Sequence, residues 1–380
     1  RRHCLGRSGY AVKMSKLKAK LAAQIQANGP LSLADYMDAA LSDPEEGYYM
    51  RRAPFGTPHD GGGDFTTAPE ISQMFGELVG AWCLDLWARS GPPQPVNLVE
   101  LGPGRGTLMA DICRTTSRNS DFTQHLSIHF VETSPTLRAE QKKRVPDANW
   151  HDNIATLPDN AATLVIANEF FDALPITQYA RTPSGWREIT VTLENNELAY
   201  ARGPEKKNPF SPMQTALLPN TAPEEIVESS LARELVMQDL CAHLKRVRGA
   251  ALIIDYGYAR PLTGDSFQAM KHHEFVNPLA CPGEADLTAH VNFAVLSQLA
   301  AATGLETYPI AKQGAFLRCL GLDKRAAQLA KANPDAVGKI MGERDRLAAP
   351  DQMGHLFKVL GVRHPDMPPL AGFSVLEVPT

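Results

Sequence analysis

No two cysteines in this chain stand in a Cys-x-x-Cys spacing; the six (Cys4, Cys83, Cys113, Cys241, Cys281 and Cys319) are scattered through 380 residues. That scatter argues against a structural zinc site and a disulfide framework, and it suits a reducing compartment. No apolar run approaches the roughly 18 residues that a membrane span needs, so no membrane insertion is expected. A basic excess is missing too. With 38 Lys and Arg against 42 Asp and Glu the formal charge is −4, which argues against a general nucleic-acid binder. There is no internal repeat and no long low-complexity tract. What remains is 43% hydrophobic and 21% charged, an ordinary globular composition, long enough for one core domain and a sizeable elaboration.

Acids are also absent from residues 1–20, which carry Arg1, Arg2, Arg7, Lys13, Lys16, Lys18 and Lys20. An upstream start before Met14 is the favoured reading; the remnant of a mitochondrial targeting segment is the other. A helical pattern over 17–25 stops at Asn28-Gly29-Pro30, and Ser32 is placed to cap a second helix over 33–41. A Gly- and Pro-rich loop from Tyr48 then leads into Gly-Asp-Phe-Thr-Thr-Ala-Pro-Glu (63–70). It reads as a helix entry, with Thr67 as N-cap and Pro69 in the first turn of a helix over 71–87. It also reads as a lid over a ligand, in which Asp64, Thr66 and Thr67 take part.

The stretch around which the rest is organised is Asn-Leu-Val-Glu-Leu-Gly-Pro-Gly-Arg-Gly-Thr-Leu-Met (97–109). An apolar strand over 98–101 breaks into Gly102, Gly104 and Gly106, and a helical pattern follows at once. Glycines there accept positive φ and let a ligand lie against the backbone. The spacing is not the Gly-x-Gly-x-x-Gly that seats a pyrophosphate. It is Glu-x-Gly-x-Gly-x-Gly, which resembles the first motif of the class I S-adenosylmethionine methyltransferases. Their cofactor carries an ammonium, a sulfonium and a ribose diol in place of phosphates, so an acid such as Glu100 beside the loop has a cationic group to hold.

The strand signals continue. Residues 126–131 alternate and end at Glu132, where a carboxylate can accept both hydroxyl protons of a ribose diol. After a helix over 135–143, Trp150-His151-Asp152-Asn153 reads as a third strand end; Asp152 either accepts an adenine amino proton or faces solvent in a turn. A fully apolar strand over 164–167 then delivers Asn168 and Glu169, with Asp172 one turn on. In an open parallel sheet the ligand crevice lies outside such carboxyl ends, so these three are expected to serve catalysis or binding, with helix capping the alternative. Residues 176–248 interrupt the alternation. They read as a hairpin over 179–193 turning at Pro183-Ser184-Gly185, a Pro- and Asn-punctuated segment, and a helix over 229–246. The sheet resumes with Ala-Ala-Leu-Ile-Ile-Asp-Tyr-Gly (250–257), placing Asp255 and Tyr256 at a strand end. His272, His273 and His290 match no zinc spacing, so no metal is expected. A helix over 291–303 follows, and the segments 357–360 and 373–376 are expected to close the sheet as an antiparallel pair.

Taken together, Gly-Asp-Phe-Thr-Thr-Ala-Pro-Glu-Ile-Ser (63–72), the glycine motif (99–108), Asn-Glu-Phe-Phe-Asp-Ala-Leu-Pro (168–175), Ile-Asp-Tyr-Gly (254–257) and Asp-Leu-Thr-Ala-His-Val-Asn-Phe (286–293) resemble the MidA-like family. Its mitochondrial members are complex I assembly-factor arginine methyltransferases. The resemblance runs in order from about residue 17 to the end. It implies an α/β fold: a class I methyltransferase (Rossmann-like), mostly parallel sheet with an N-terminal helical extension and an insertion between the fourth and fifth strands. The expected divisions are an N-terminal lid region (1–95), the first part of the core (96–175), an insertion on the substrate side (176–248) and the completion of the core (249–380). The cofactor implied is S-adenosyl-L-methionine, held by Glu100, Gly102, Gly104, Gly106, Glu132, Asp152, Asn153 and Asn168. Glu169 resembles the first glutamate of the double-glutamate loop of arginine methyltransferases, with Asp172 the nearest second acid. Asp64, Thr66, Thr67, Asp255, Tyr256 and His290 are assigned to the substrate or lid side. Position 290 departs from family members that carry an acid there, which weakens a catalytic role for His290. The acceptor implied is a protein arginine, on a subunit of respiratory complex I, symmetrically dimethylated. A homodimer is an allowed assembly. The cytoplasm of a bacterium is the favoured compartment, with the mitochondrial matrix the one for a eukaryotic source. A small-molecule acceptor, marked by a closed apolar pocket, and a non-catalytic scaffold stay open as alternatives.

Overall fold

A computed structural model describes residues 15–51, 66–91 and 94–373. Asp64, the basic stretch before residue 15 and the segment 374–376 lie outside the described residues. Nine strands form the main sheet among the described residues. Seven lie on its principal path: β1 (Val96–Leu101), β2 (Leu126–Val131), β3 (Asn149–His151), β4 (Ala162–Asn168), β5 (Ala250–Tyr258), β6 (Glu306–Thr307) and β7 (Phe357–Arg363), while the two-residue pieces Val291–Asn292 and Ala311–Lys312 add to β5 and β7. The order along that path is β6-β7-β5-β4-β1-β2-β3. The five strands from β5 to β3 run parallel, and β7 is antiparallel to both β5 and β6. The strand order reverses between β1 and β4, where Leu101 pairs with Ala167. That is the switch point at which an open sheet of this kind leaves its crevice.

The apolar runs explain the layering. Alternate side chains of one strand enter opposite cores: Leu98, Leu164 and Leu252 face one cluster, Val99, Val165 and Ala251 the other. A strand buried on both faces cannot alternate apolar with polar, so it reads as a continuous hydrophobic run. The helices α1 (Lys16–Asn28) and α2 (Leu33–Ser42) build a third core. Ser32 caps α2 as expected, its Oγ accepting from the Asp35 N–H at 3.0 Å. The first cluster is covered by α3 (Gln73–Arg89), α4 (Thr107–Thr116) and the C-terminal helices, and the second by α6 (Leu231–Val247) and α7 (Phe293–Ala302). A further helix, α5 (Pro135–Arg144), follows β2.

Two sequence expectations need correction. The expected hairpin is present, Thr177–Arg181 against Trp186–Glu194, but the Pro- and Asn-punctuated segment after it holds a strand that was not expected, Glu197–Lys206, paired with Trp186–Glu194. Asn195 and Asn196, at φ 52° and 64°, form its two-residue turn, which is the left-handed chemistry such a hairpin demands. This antiparallel sheet also takes in Leu31–Ser32, so the N-terminal region and the insertion share hydrogen bonds. At the sheet edge, β7 takes β5 as its long antiparallel partner. Phe373, expected to open a strand paired with β7, instead lays its ring against Gly361, where a Cβ would come within 2.7 Å of it.

Candidate active site

The glycine motif adopts the conformation its composition requires. Gly102, Gly104 and Gly106 sit at φ 60°, 52° and 81°, and Gly106 opens α4. At Gly102 a Cβ would lie 2.7 Å from the Phe170 ring, so the turn also needs glycine for space. The Gly102 N–H donates to Val131 O at 3.0 Å, tying the turn to the end of β2.

A cleft of about 640 Å³ opens outside the carboxyl ends of β1, β2, β4 and β5. Its walls carry the carboxylates of Glu70, Glu100, Glu132, Glu169, Asp172 and Asp286, against the guanidiniums of Arg105 and Arg346. Glu100 is 3% exposed; the Met109 backbone N–H is its donor, its Oε2 has no partner, and burial pushes its carboxyl up to about 8. At the end of β2, Glu132 accepts from the Ser134 N–H at 2.8 Å and from Gln141 Nε2 at 3.1 Å, and burial raises it as well. Asn168 closes β4 with Oδ1 buried and unpartnered. The structure does not bring Asp152 and Asn153 to this wall. Both are exposed, neither lines the cleft, and the Asp152 carboxylate is held 2.6 Å from Arg138 in a surface ion pair.

The chain leaves β4 through Glu169, a non-glycine residue at φ 49° whose N–H continues the ladder to Ile254 O at 2.9 Å. Left-handed backbone at a glutamate is strained, and such strain gathers at functional sites. Its Oε1 accepts from the Ala68 N–H at 3.0 Å and from Asn168 Nδ2 at 3.2 Å. No hydrogen bond among the described residues reaches its Oε2. Burial, with Asp172 and Asp286 adding repulsion, pushes its carboxyl up to about 8. Asp172, 5% exposed, accepts from the Tyr256 hydroxyl, while its Oδ1 has no partner. Asp255 is placed differently from its sequence assignment. It is fully buried, away from the cleft wall, and its Oδ2 accepts from the N–H groups of Phe171 (3.0 Å) and Asp172 (3.1 Å). It therefore locks the 169–172 turn. Arg233 completes the lock from below, donating to the carbonyls of Phe171, Asp172, Ala289 and His290.

Thr66 and Thr67 line the cleft, and the short helix Ala68–Ile71 lies over it. Two bonds pin this segment: Ala68 to Glu169, and the Thr107 hydroxyl to Glu70 at 2.6 Å. Thr67 is the N-cap residue without a side-chain cap bond, and Ser72 breaks the expected helix before α3. Tyr256 and His290 line the cleft with their rings edge to face at 5.6 Å. Burial, then Lys358 and Arg233, lowers the His290 imidazole, which keeps it neutral at neutral pH. Tyr49, Glu70 and Asp286 belong to the site without having been assigned to it from sequence. Tyr49 donates to Asp286 at 2.7 Å, across 237 residues of chain. The acid of Asp-Leu-Thr (286–288) was the available signal.

A reversed parallel sheet with an antiparallel seventh strand, a glycine turn at its switch point and open acids on both sides define a class I methyltransferase. The unpartnered oxygens of Glu100 and Asn168 fit the hydrogen-bond donors of S-adenosylmethionine, and the glycine turn lets it approach the backbone. The comparisons with known proteins agree. The profile of an S-adenosyl-L-methionine-dependent methyltransferase family matches residues 78–311. The chain is 34% identical to the mitochondrial protein arginine methyltransferase NDUFAF7 of Danio rerio, covering 98% of this chain and 95% of that protein. It is 33% identical to the Homo sapiens protein of that name over 88% and 80% of the two chains. A COG1565 superfamily member from Burkholderia thailandensis, solved with S-adenosyl-homocysteine, superposes with a TM-score of 0.81 at 24% identity, covering 94% and 93% of the chains. The chain belongs to the NDUFAF7 family of S-adenosyl-L-methionine-dependent methyltransferases.

Proposed function

We propose that this methyltransferase transfers its methyl group to the guanidinium of a protein arginine. The observation that carries the reading is the open cleft with six carboxylates against two arginines, a site built for a cation and wide enough for a chain segment. A closed apolar pocket would have favoured a small neutral acceptor. The relatives' names point the same way, since they are protein arginine methyltransferases.

The bound cofactor supplies an electrophilic methyl on a sulfonium; the chain's residues supply the rest. Glu100 would hold the ammonium and Glu132 the ribose hydroxyls, with Gly102 and Gly104 placing no side chain on that wall. Glu169 presents Oε2 to the guanidinium N–H groups, a charge-assisted pair that fixes the attacking nitrogen. The arriving cation restores what burial took from Glu169, so its carboxyl, held up near 8, becomes ionised in the complex. It then accepts the proton that the nitrogen releases. Asp172, steadied by Tyr256, faces the same charge as second acid. Alignment does much of the work, since effective molarities of well-oriented groups reach about 10⁵ M or more.

The finer reading carried by family resemblance is symmetric dimethylation of an arginine on a complex I subunit. A eukaryotic source places the protein in the mitochondrial matrix, a bacterial one in the cytoplasm. The test is tandem mass spectrometry of arginine- and lysine-containing peptides incubated with the protein and S-adenosylmethionine bearing a deuterated methyl. Label on an arginine guanidinium is the expected result; label on lysine alone, or on none of the peptides, would overturn the acceptor.

A further inference from the structure

The carboxylates account for the arginine but not for the rim of the cleft. Among the described residues seven large apolar side chains are exposed, and two of them, Phe275 (69%) and Leu356 (46%), line this cleft. Phe275 stands on a hairpin, Gln268–Lys271 against Glu274–Val276, in which Met270 is its direct cross-strand partner. Met270 lines the cleft as well, so the two side chains form one apolar face. The turn between the strands is His272-His273, at φ 53° and 63°. A two-residue turn with both φ positive ordinarily takes Asn-Gly. Two histidines there are a strained choice, and His273 too lines the cleft. On its other edge the hairpin pairs with Asp286–Thr288, so the strand that carries Asp286 into the acid cluster also carries the lip. Single exposed apolar residues are normal on a surface; these are continuous with the acid site.

We propose that Phe275 and Met270, with Leu356, form a docking lip for the polypeptide on either side of the acceptor arginine, selecting an arginine with apolar neighbours. The inference rests on the arginine reading above and adds the partner's chemistry: a cationic side chain enters the acid cleft while an adjoining apolar side chain covers Phe275. A free amino acid or small cation fills the carboxylates and leaves the lip bare. The strand connection to Asp286 makes the two recognitions mutually positioned.

The test is binding of two fluorescent nonapeptides with one central arginine, flanked by leucines in one and serines in the other, with S-adenosyl-homocysteine present. The protein is expected to bind the leucine-flanked peptide roughly tenfold more tightly, the contribution of one apolar side chain covered. Phe275→Ser should abolish most of that preference, and Phe275→Leu should keep it. A variant that merely misfolds loses both peptides together, so the ratio separates docking from damage. Equal affinity of the unmodified protein for the two peptides, or a preference that survives in the Phe275→Ser, Leu356→Ser double variant, would overturn the lip. Replacing the central arginine by glutamine tests the other reading separately. Unchanged affinity there would sink the arginine acceptor, while the leucine preference would still report on the lip.

Discussion

β4 and β5 run side by side, and at adjacent positions each delivers an acid: Glu169 just after β4, Asp255 within β5. Asp255 accepts from the backbone N–H groups of Phe171 and Asp172 through Oδ2 and of Tyr256 through Oδ1. All its capacity is turned inward. Glu169 spends one oxygen on Ala68 and Asn168 and leaves the other to the cleft. Burial raises both carboxyls, so a shifted acid is not by itself a site. What separates the carboxylate proposed for catalysis from the structural one is which oxygen is left unspent, and toward what.

The largest effect that sharpens this contrast is expected at Gly102. A valine there meets Phe170, next to Glu169, and must hold positive φ. Gly102→Val is expected to weaken S-adenosyl-homocysteine binding by roughly a hundredfold or more, read by calorimetry, since both strain and collision fall at the ligand wall. Next comes Asp255→Ala, which strands three backbone donors. We expect about 3 kcal/mol lost from urea unfolding, with methyl transfer falling as the 169–172 turn loosens. A variant of normal stability would break the distinction between the two acids.

A smaller effect is read by pH. Glu169 binds its proton up to about 8 in the ligand-free protein, so kcat/KM, which reports the free enzyme, should rise with pH to a plateau above that value. Because the folded pKa lies above the unfolded one, ionisation opposes folding: the proton-linked stabilisation is lost as pH climbs from the ordinary carboxylate range toward 8. Glu100 adds to the same slope. Glu100→Gln is therefore expected to flatten the loss of thermal stability between pH 5 and 8 (about the window set by these pKa values) while weakening cofactor binding. The smallest effect is a remote control. Glu77 accepts from Arg325 at 2.7 and 2.9 Å and from Arg114 at 3.2 Å, joining α3, α4 and a C-terminal helix. Glu77→Ala should cost about 2 kcal/mol of stability, the arginines being half-exposed, and leave the pH profile in place.

On the side of the cleft proposed for the cofactor, the sequence signals are contiguous. Gly102, Gly104 and Gly106 announce positive φ by composition, and Glu100 and Glu132 stand at strand ends whose apolar runs are unmistakable. The side proposed for the acceptor is assembled from Tyr49, Glu70, Glu169, Asp172, Tyr256 and Asp286, which no local period links. Glu169 and Asp172 were readable because β4 points at them. Asp286 stands in the motif at 286–293, but nothing in a sequence says that Tyr49 reaches it. Asp152 shows the reverse, since of its two readings the structure takes the solvent-facing one. A strand-end acid looked like an adenine partner, but Arg138, fourteen residues back, holds it at the surface. The missed strand Glu197–Lys206 had its signal in Asn195-Asn196, masked by the Pro and Lys that follow.

The account stands most directly on Glu169→Gln, measured as single-turnover methyl transfer to an arginine peptide from protein preloaded with S-adenosylmethionine. Glutamine keeps the side chain's length and its bonds to Ala68 but cannot take the proton. Cofactor affinity within a fewfold of the unmodified protein, with transfer slower by about 10²-fold or more, is the predicted result. Transfer at the full rate with the cofactor bound would contradict it, and would move the catalytic role to another acid of the cleft.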